Sequence, residues 1–279
     1  MMSEKIALVI GGNSGVGKKT AIDLAKEGLK LIIVGSNKLK TEAACKEIVK
    51  ESQNKNVTSL SFDLSTKKGV EELYRIITQK VSQIDILISS VGVMFSDLKL
   101  SQDGYDLNLV LNYLTHFWII QEFLPLLKKS KQGRILLVGA VPLAINHSKV
   151  SLPDFKTDKQ AKYKMMSVIS SATAARYLLM LYWSQRLINT NITINIFHPG
   201  YVTDSNLGNA DSWISKQLGK AIGLIFSKKD QPIGAYLSSD PQLANTSGKF
   251  FNEKGKIVKL SKSYSSTMAE ELYRITKDK

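Results

Sequence analysis

Short apolar runs alternate along the chain with longer amphipathic stretches. The short runs, Ile6–Ile10, Leu31–Gly35, Val57–Phe62, Ile84–Ser89, Arg134–Gly139 and Ile192–Phe197, with a last one near Lys249–Phe251, read as strands. The longer stretches, about Val16–Glu27, Lys40–Glu51, Gly69–Val81, Asp106–Lys128 and Lys164–Ile188, read as helices. This alternation predicts parallel strand pairing, because each crossover must return over a face of the sheet. Helices on both faces also explain strands that are continuously Ile, Leu and Val rather than alternating with polar residues. The expected fold is α/β: a doubly wound parallel sheet of about seven strands with helices on both faces. No repeat, low-complexity tract or long linker divides the chain, so residues 1–279 read as a single domain. Ligands of such sheets sit beyond the carboxyl ends of the strands.

Composition excludes more than it identifies. With 279 residues, 43% of them hydrophobic and 22% charged, the chain is neither disordered nor fibrous. Cys45 stands alone, which removes an internal disulfide framework and any multi-cysteine metal site. His116, His147 and His198 lack metal-ligand spacing, and no metal is expected. The nearly apolar stretches around Ile84–Phe95 and Ile135–Ile145 fall short of the roughly 18 residues a spanning helix needs. No basic-then-apolar leader precedes the first strand. An intracellular, cytoplasmic protein without a transmembrane segment is the resulting expectation. The net charge is +14, yet only five of the 38 basic residues are arginine, the residue that reads bases bidentately. Dispersed lysines describe a solvated surface, and no specific nucleic-acid partner is expected.

Candidate chemistry begins where the first strand runs into Gly11-Gly12-Asn13-Ser14-Gly15-Val16-Gly17 and a helix follows. Glycines at 11, 15 and 17 let backbone approach a pyrophosphate, and the helix N-terminus offers it free N–H groups. Further along stand Asp63-Leu64-Ser65 after the third strand, and Leu111-Asn112-Tyr113-Leu114-Thr115-His116-Phe117 on the fourth helix. His198-Pro199-Gly200-Tyr201-Val202-Thr203 follows the sixth strand, and Thr246-Ser247-Gly248-Lys249-Phe250-Phe251 stands near the end. In this order the sequence resembles the short-chain dehydrogenase/reductase family and its retinol-dehydrogenase-like branch, over essentially the whole chain.

The resemblance implies a Rossmann-type fold that binds a nicotinamide dinucleotide. It places Gly11, Asn13, Ser14, Gly15, Val16 and Gly17 at the pyrophosphate, and Asp63 and Leu64 at the adenine. Gly92, Pro199, Gly200, Val202 and Thr203 complete the cofactor site, and residues 203–230, with Trp213 and Leu218, become a substrate lid. A homodimer through the two long helices after strands four and five is a further implication. The second strand ends Val34-Gly35-Ser36-Asn37-Lys38, without the acid that binds the ribose hydroxyls in NAD-preferring relatives. Ser36 stands where NADP-preferring relatives carry arginine, while Lys38, and Lys18 beyond the loop, offer positive charge. NADP(H) is therefore expected over NAD(H).

The catalytic pattern is where this chain departs from the family. Relatives use a tyrosine as proton donor, a lysine four residues later that lowers its pKa, a serine that positions the carbonyl, and an asparagine that orders a relay. Asn112 occupies the asparagine position. Counting back from His198-Pro199-Gly200, the tyrosine and lysine positions fall on Ile169 and Thr173, and Ala140 stands for the serine. Neither Ile169 nor Thr173 can supply an acidified phenol. Tyr163, His147 and the Tyr182–Arg186 pair are the nearby substitutes, each displaced from the required position. Three readings follow: a nucleotide-binding family member with weak or lost oxidoreductase activity, an active NADP(H) reductase of an apolar carbonyl with a rearranged donor, and a basic interaction protein that uses only the fold.

Overall fold

The computed structural model describes residues 5–147, 150–155, 162–200 and 232–279. Among the described residues, eight strands form one sheet: β1 (Ile6–Ile10), β2 (Lys30–Gly35), β3 (Val57–Ser61), β4 (Ile86–Ser89), β5 (Gly133–Val138), β6 (Ile192–Phe197), β7 (Phe250–Phe251) and β8 (Ile257–Val258). Their order is β3-β2-β1-β4-β5-β6-β7-β8, parallel throughout except for β7–β8. The expected count of about seven is thus corrected to eight. The extra strand returns from β7 through a turn with Gly255 at φ +71°, and two residues are too few to show a hydrophobic period.

Successive residues of β1 feed opposite cores. Leu8 and Ile10 join one apolar cluster, Ala7 and Val9 the other, and all four are fully buried. Against the second cluster pack α1 (Gly15–Lys26), α2 (Lys38–Ser52) and α8 (Ile233–Ser239). On the other face lie α3 (Lys67–Thr78), α5 (Thr115–Lys128), α7 (Met165–Arg186) and α9 (Ser266–Thr276). Two short helices, α4 (Leu107–Leu109) and α6 (Pro142–His147), sit in the connections after β4 and β5.

The helix expected over 106–128 forms without a gap from Leu107 to Lys128 but is not α-helical throughout. Between α4 and α5, Val110–Leu114 widens into a π-helical turn centred on Asn112. The C-terminal helix α9, absent from the sequence reading, lies across α5 and α7. Tyr113 Oη and Thr276 Oγ1 are 2.9 Å apart, Trp118 Nε1 donates to Lys279 O at 3.1 Å, and Tyr273 stacks on Tyr182 at 4.1 Å. No helix among the described residues is long and apolar enough to cross a membrane.

Candidate functional site

Strand order reverses between β1 and β4, so the crossovers diverge there and leave a crevice at the carboxyl ends of the strands. A cleft of about 470 Å³ opens at this point. Gly11, Asn13, Ser14, Gly15 and Val16 form its middle; Ser36, Asn37, Lys40, Asp63 and Leu64 line one end; Val91, Gly92, Val93, Leu111 and Val138 line the other.

The middle is built to receive an anion. Ser14 N-caps α1 but its hydroxyl bonds none of the first-turn N–H groups, and that turn carries no acidic side chain. Gly15 adopts φ +50°, a left-handed conformation that side chains disfavour. Gly17 plays a different part from the other two glycines. A Cβ there would collide with Gly11 O and Ser90 Oγ, so this position permits close packing of α1 on the strand ends, and Gly17 does not line the cleft.

At the β2 end, Asn37 caps α2 by accepting from Lys40 N at 3.0 Å. That turn brings Lys40 to the cleft, whereas Lys38 is exposed on α2 and does not line it. Lys18 is engaged elsewhere, 2.7 Å from a Glu47 oxygen. The basic residue at this end is thus Lys40, a lysine that spacing alone did not single out. Asp63 accepts from Ser65 N at 2.9 Å, which fixes the turn that lines the cleft.

The opposite end is shaped by buried hydrogen bonds. Asn112 Nδ2 donates to Val93 O and to Asn108 O, both at 2.8 Å, anchoring the lining loop to the π-helical turn. His116 is fully buried; its Nε2 donates to Val91 O at 3.0 Å, so Nδ1 accepts from Ser89 Oγ at 2.7 Å. Burial and the neighbouring Arg176 charge hold the His116 pKa well below the ordinary histidine value. Arg176 Nη1 donates to Val138 O at 2.8 Å, while its Nε is buried without a partner.

Ala140, Ile169 and Thr173, the catalytic positions expected from the sequence, are not among the residues that line the cleft. Ile169, Thr173 and Arg176 share one face of α7, and Ala140 follows the end of β5. Ala140 N donates to Tyr177 Oη at 3.1 Å. Burial pushes the Tyr177 phenol pKa up. The substitutes lie elsewhere. Tyr163 Oη accepts from Asn108 Nδ2 at 2.7 Å, and burial pushes its pKa up to about 12. His147 is exposed, with Nδ1 donating to Leu143 O within α6 at 2.9 Å. Tyr182 accepts from Arg186 Nε and stacks under α9. Pro199 borders a small separate hollow with Val16 and Ile233, Gly200 turns at φ +79°, and Val202, Thr203 and the expected lid at 203–230 lie outside the described residues.

Sequence reading missed Arg176 and Tyr177. One signal was available: an arginine inside an otherwise apolar helix, seven residues after Ile169 and therefore on the same face.

Comparison with known proteins agrees with the fold. A family model described as "short chain dehydrogenase" matches residues 5–148. Human retinol dehydrogenase 13 is 30% identical over 256 residues, covering 89% of this chain and 76% of that protein. Human polyprenol dehydrogenase is 26% identical over 278 residues, covering 97% and 83%. Among solved structures, the Pseudomonas aeruginosa RhlG/NADP active-site complex superposes with a TM-score of 0.68 at 18% identity, covering 90% of this chain and 95% of that one. A Shigella flexneri 2a short-chain dehydrogenase complexed with NADP gives 0.66 at 17%, covering 90% and 97%.

Proposed function

For a chain that belongs to the short-chain dehydrogenase/reductase family, in its retinol-dehydrogenase-like branch, we propose a role as an NADP(H)-binding protein whose standard oxidoreductase activity is weak or lost. The observation that supports this reading is the cleft at the α1 N-terminus, taken together with the sequence register that sets Ala140, Ile169 and Thr173 at the positions of the proton-transfer groups.

The cleft fits a dinucleotide in size and in donors. Free N–H groups of α1 would hold the pyrophosphate, and Asp63 and Leu64 would flank the adenosine. Ser36, Asn37 and Lys40, with no acid among them, accept a 2′-phosphate better than bare ribose hydroxyls. Val93, Leu111 and Val138, at the other end of the cleft, would hold the nicotinamide half. When bound, such a cofactor supplies hydride to a carbonyl. The oxygen of that carbonyl must then be stabilised and protonated. Ile169 has no proton to give, Thr173 has no charge to acidify a phenol, and Ala140 has no hydroxyl to position the substrate. Losing a positioned acid alone costs about 10²–10⁴ in rate.

Exposed apolar side chains on neighbouring connections support an apolar ligand. Met94, Val141, Leu143 and Met166 are exposed on the connections after β4 and β5 and at the start of α7. The relatives named for retinol and polyprenol act, by those names, on apolar alcohols. The reading is therefore a redox- or ligand-responsive binding protein. The rearranged-donor alternative draws no support from its candidates, since Tyr163 is bonded to Asn108 with a raised pKa and His147 faces solvent.

Calorimetric titration with NADPH and NADH, followed by turnover assays on apolar aldehydes and ketones, tests the proposal. NADPH should bind at least about ten-fold tighter than NADH, with carbonyl reduction near background. Binding of neither cofactor would refute it.

A further inference from the structure

Among the described residues, Arg176 is a buried cation without a counter-ion, bonded to the strand that lines the Val138 end of the cleft. Its side chain reaches from α7 to Val138 O, the β5 carbonyl whose residue lines that end. No carboxylate among the described residues pairs with it, and its Nε lies buried without a partner. The neighbouring groups do not neutralise it. His116 is locked as a neutral imidazole between Ser89 and Val91 O, and Tyr177 is a protonated phenol against Ala140. A guanidinium stays charged even when burial lowers its pKa, so its field persists where little water screens it.

The helix explains why this charge matters. By the family register Thr173 leaves α7 without a cation at the lysine position, and Arg176 stands three residues further along the same face. We infer that Arg176 supplies this charge from beneath the cleft floor and makes the site discriminate by cofactor redox state, favouring NADPH over NADP⁺. The inference rests on the nucleotide-binding reading above. The two cofactor forms differ at the ring: it is uncharged in NADPH and cationic in NADP⁺. A positive field under the ring therefore penalises the oxidised form alone. Arg176 acts through the field and through the position of Val138, as a specificity-determining residue rather than a catalytic one.

The test is titration of the full-length protein with NADPH, NADP⁺ and 2′-phospho-ADP-ribose, which lacks the ring. Wild type should bind NADPH about ten-fold tighter than NADP⁺, and NADP⁺ no tighter than the ringless fragment. Arg176→Gln should bring the NADPH/NADP⁺ ratio to within about two-fold of unity, chiefly by tightening NADP⁺, and Arg176→Lys should keep the wild-type ratio. A purely structural arginine would lower thermal stability on substitution and leave the ratio unchanged, which would overturn the inference. Equal binding of both redox forms by wild type would overturn it alone, even if Arg176→Gln failed to fold. Binding of none of the three ligands would overturn the nucleotide reading and the inference with it.

Discussion

At position 139 a single side chain is excluded by another. A Cβ on Gly139 would lie 2.5 Å from Tyr177 Oη and 2.5 Å from Ile196 Cγ2. Gly139→Ser should cost about 1–3 kcal/mol in denaturant unfolding by overpacking. Gly139→Ser combined with Tyr177→Phe should cost less than the sum of the two single changes, because both act on one contact. Asn112→Ala removes two buried donations to Val93 and Asn108, and should lower stability by about 1–3 kcal/mol. His116 gives a pH signature. Its folded pKa is depressed below the unfolded value, so its contribution is intact above the ordinary histidine pKa and is lost as pH falls below it. Melting should therefore weaken between pH 7.5 and 5.5, and His116→Gln should flatten that slope. At this scale the sequence marked Asn112, and its register proposed Ala140, Ile169 and Thr173 for the catalytic positions. It did not mark the bonds of Asn112, His116 and Arg176, because their partners lie on other elements.

Two helix starts set cofactor recognition at the scale of elements. The first turn of α1 is free to bind phosphate, and the first turn of α2 turns Lys40 into the cleft. Gly15→Val should weaken both cofactors, since it fills the pyrophosphate approach and strains a residue at φ +50°. Ser36→Asp should move preference from NADPH toward NADH by about ten-fold or more, because an acid repels the 2′-phosphate and binds the ribose hydroxyls. Competitive titration reads both effects. The strands were legible because residues buried on both faces form unbroken apolar runs. The π-helical turn at Val110–Leu114 was not, since the apolar pattern continues through it while Asn112 draws the backbone to Val93. Strand β8 is too short to carry a period, and Ile257 on it is largely exposed.

For the whole molecule, α9 decides how the outer face of α5 and α7 is used. The resemblance implied pairing of two chains through these helices. Within one chain, Tyr113, Phe117, Trp118 and Tyr182 contact Tyr273 and Thr276 of α9 and Lys279 beyond it, and from those contacts we propose a monomer. We expect light scattering to give the mass of one chain; a dimer that survives dilution and leaves α9 in place would contradict this. The central claim is that the nucleotide cleft is intact and the proton-transfer groups are absent. It is tested most directly by the rate of NADPH oxidation with an apolar aldehyde at saturating cofactor. Wild type is compared with the triple variant Ala140→Ser, Ile169→Tyr, Thr173→Lys. Single changes should do little, since groups that act as a unit are strongly non-additive. The account predicts near-background turnover in wild type and a gain of at least about 10²-fold in the triple variant. Wild-type turnover in the ordinary enzyme range, about 1–10³ s⁻¹, and unaffected by the three changes, would contradict it.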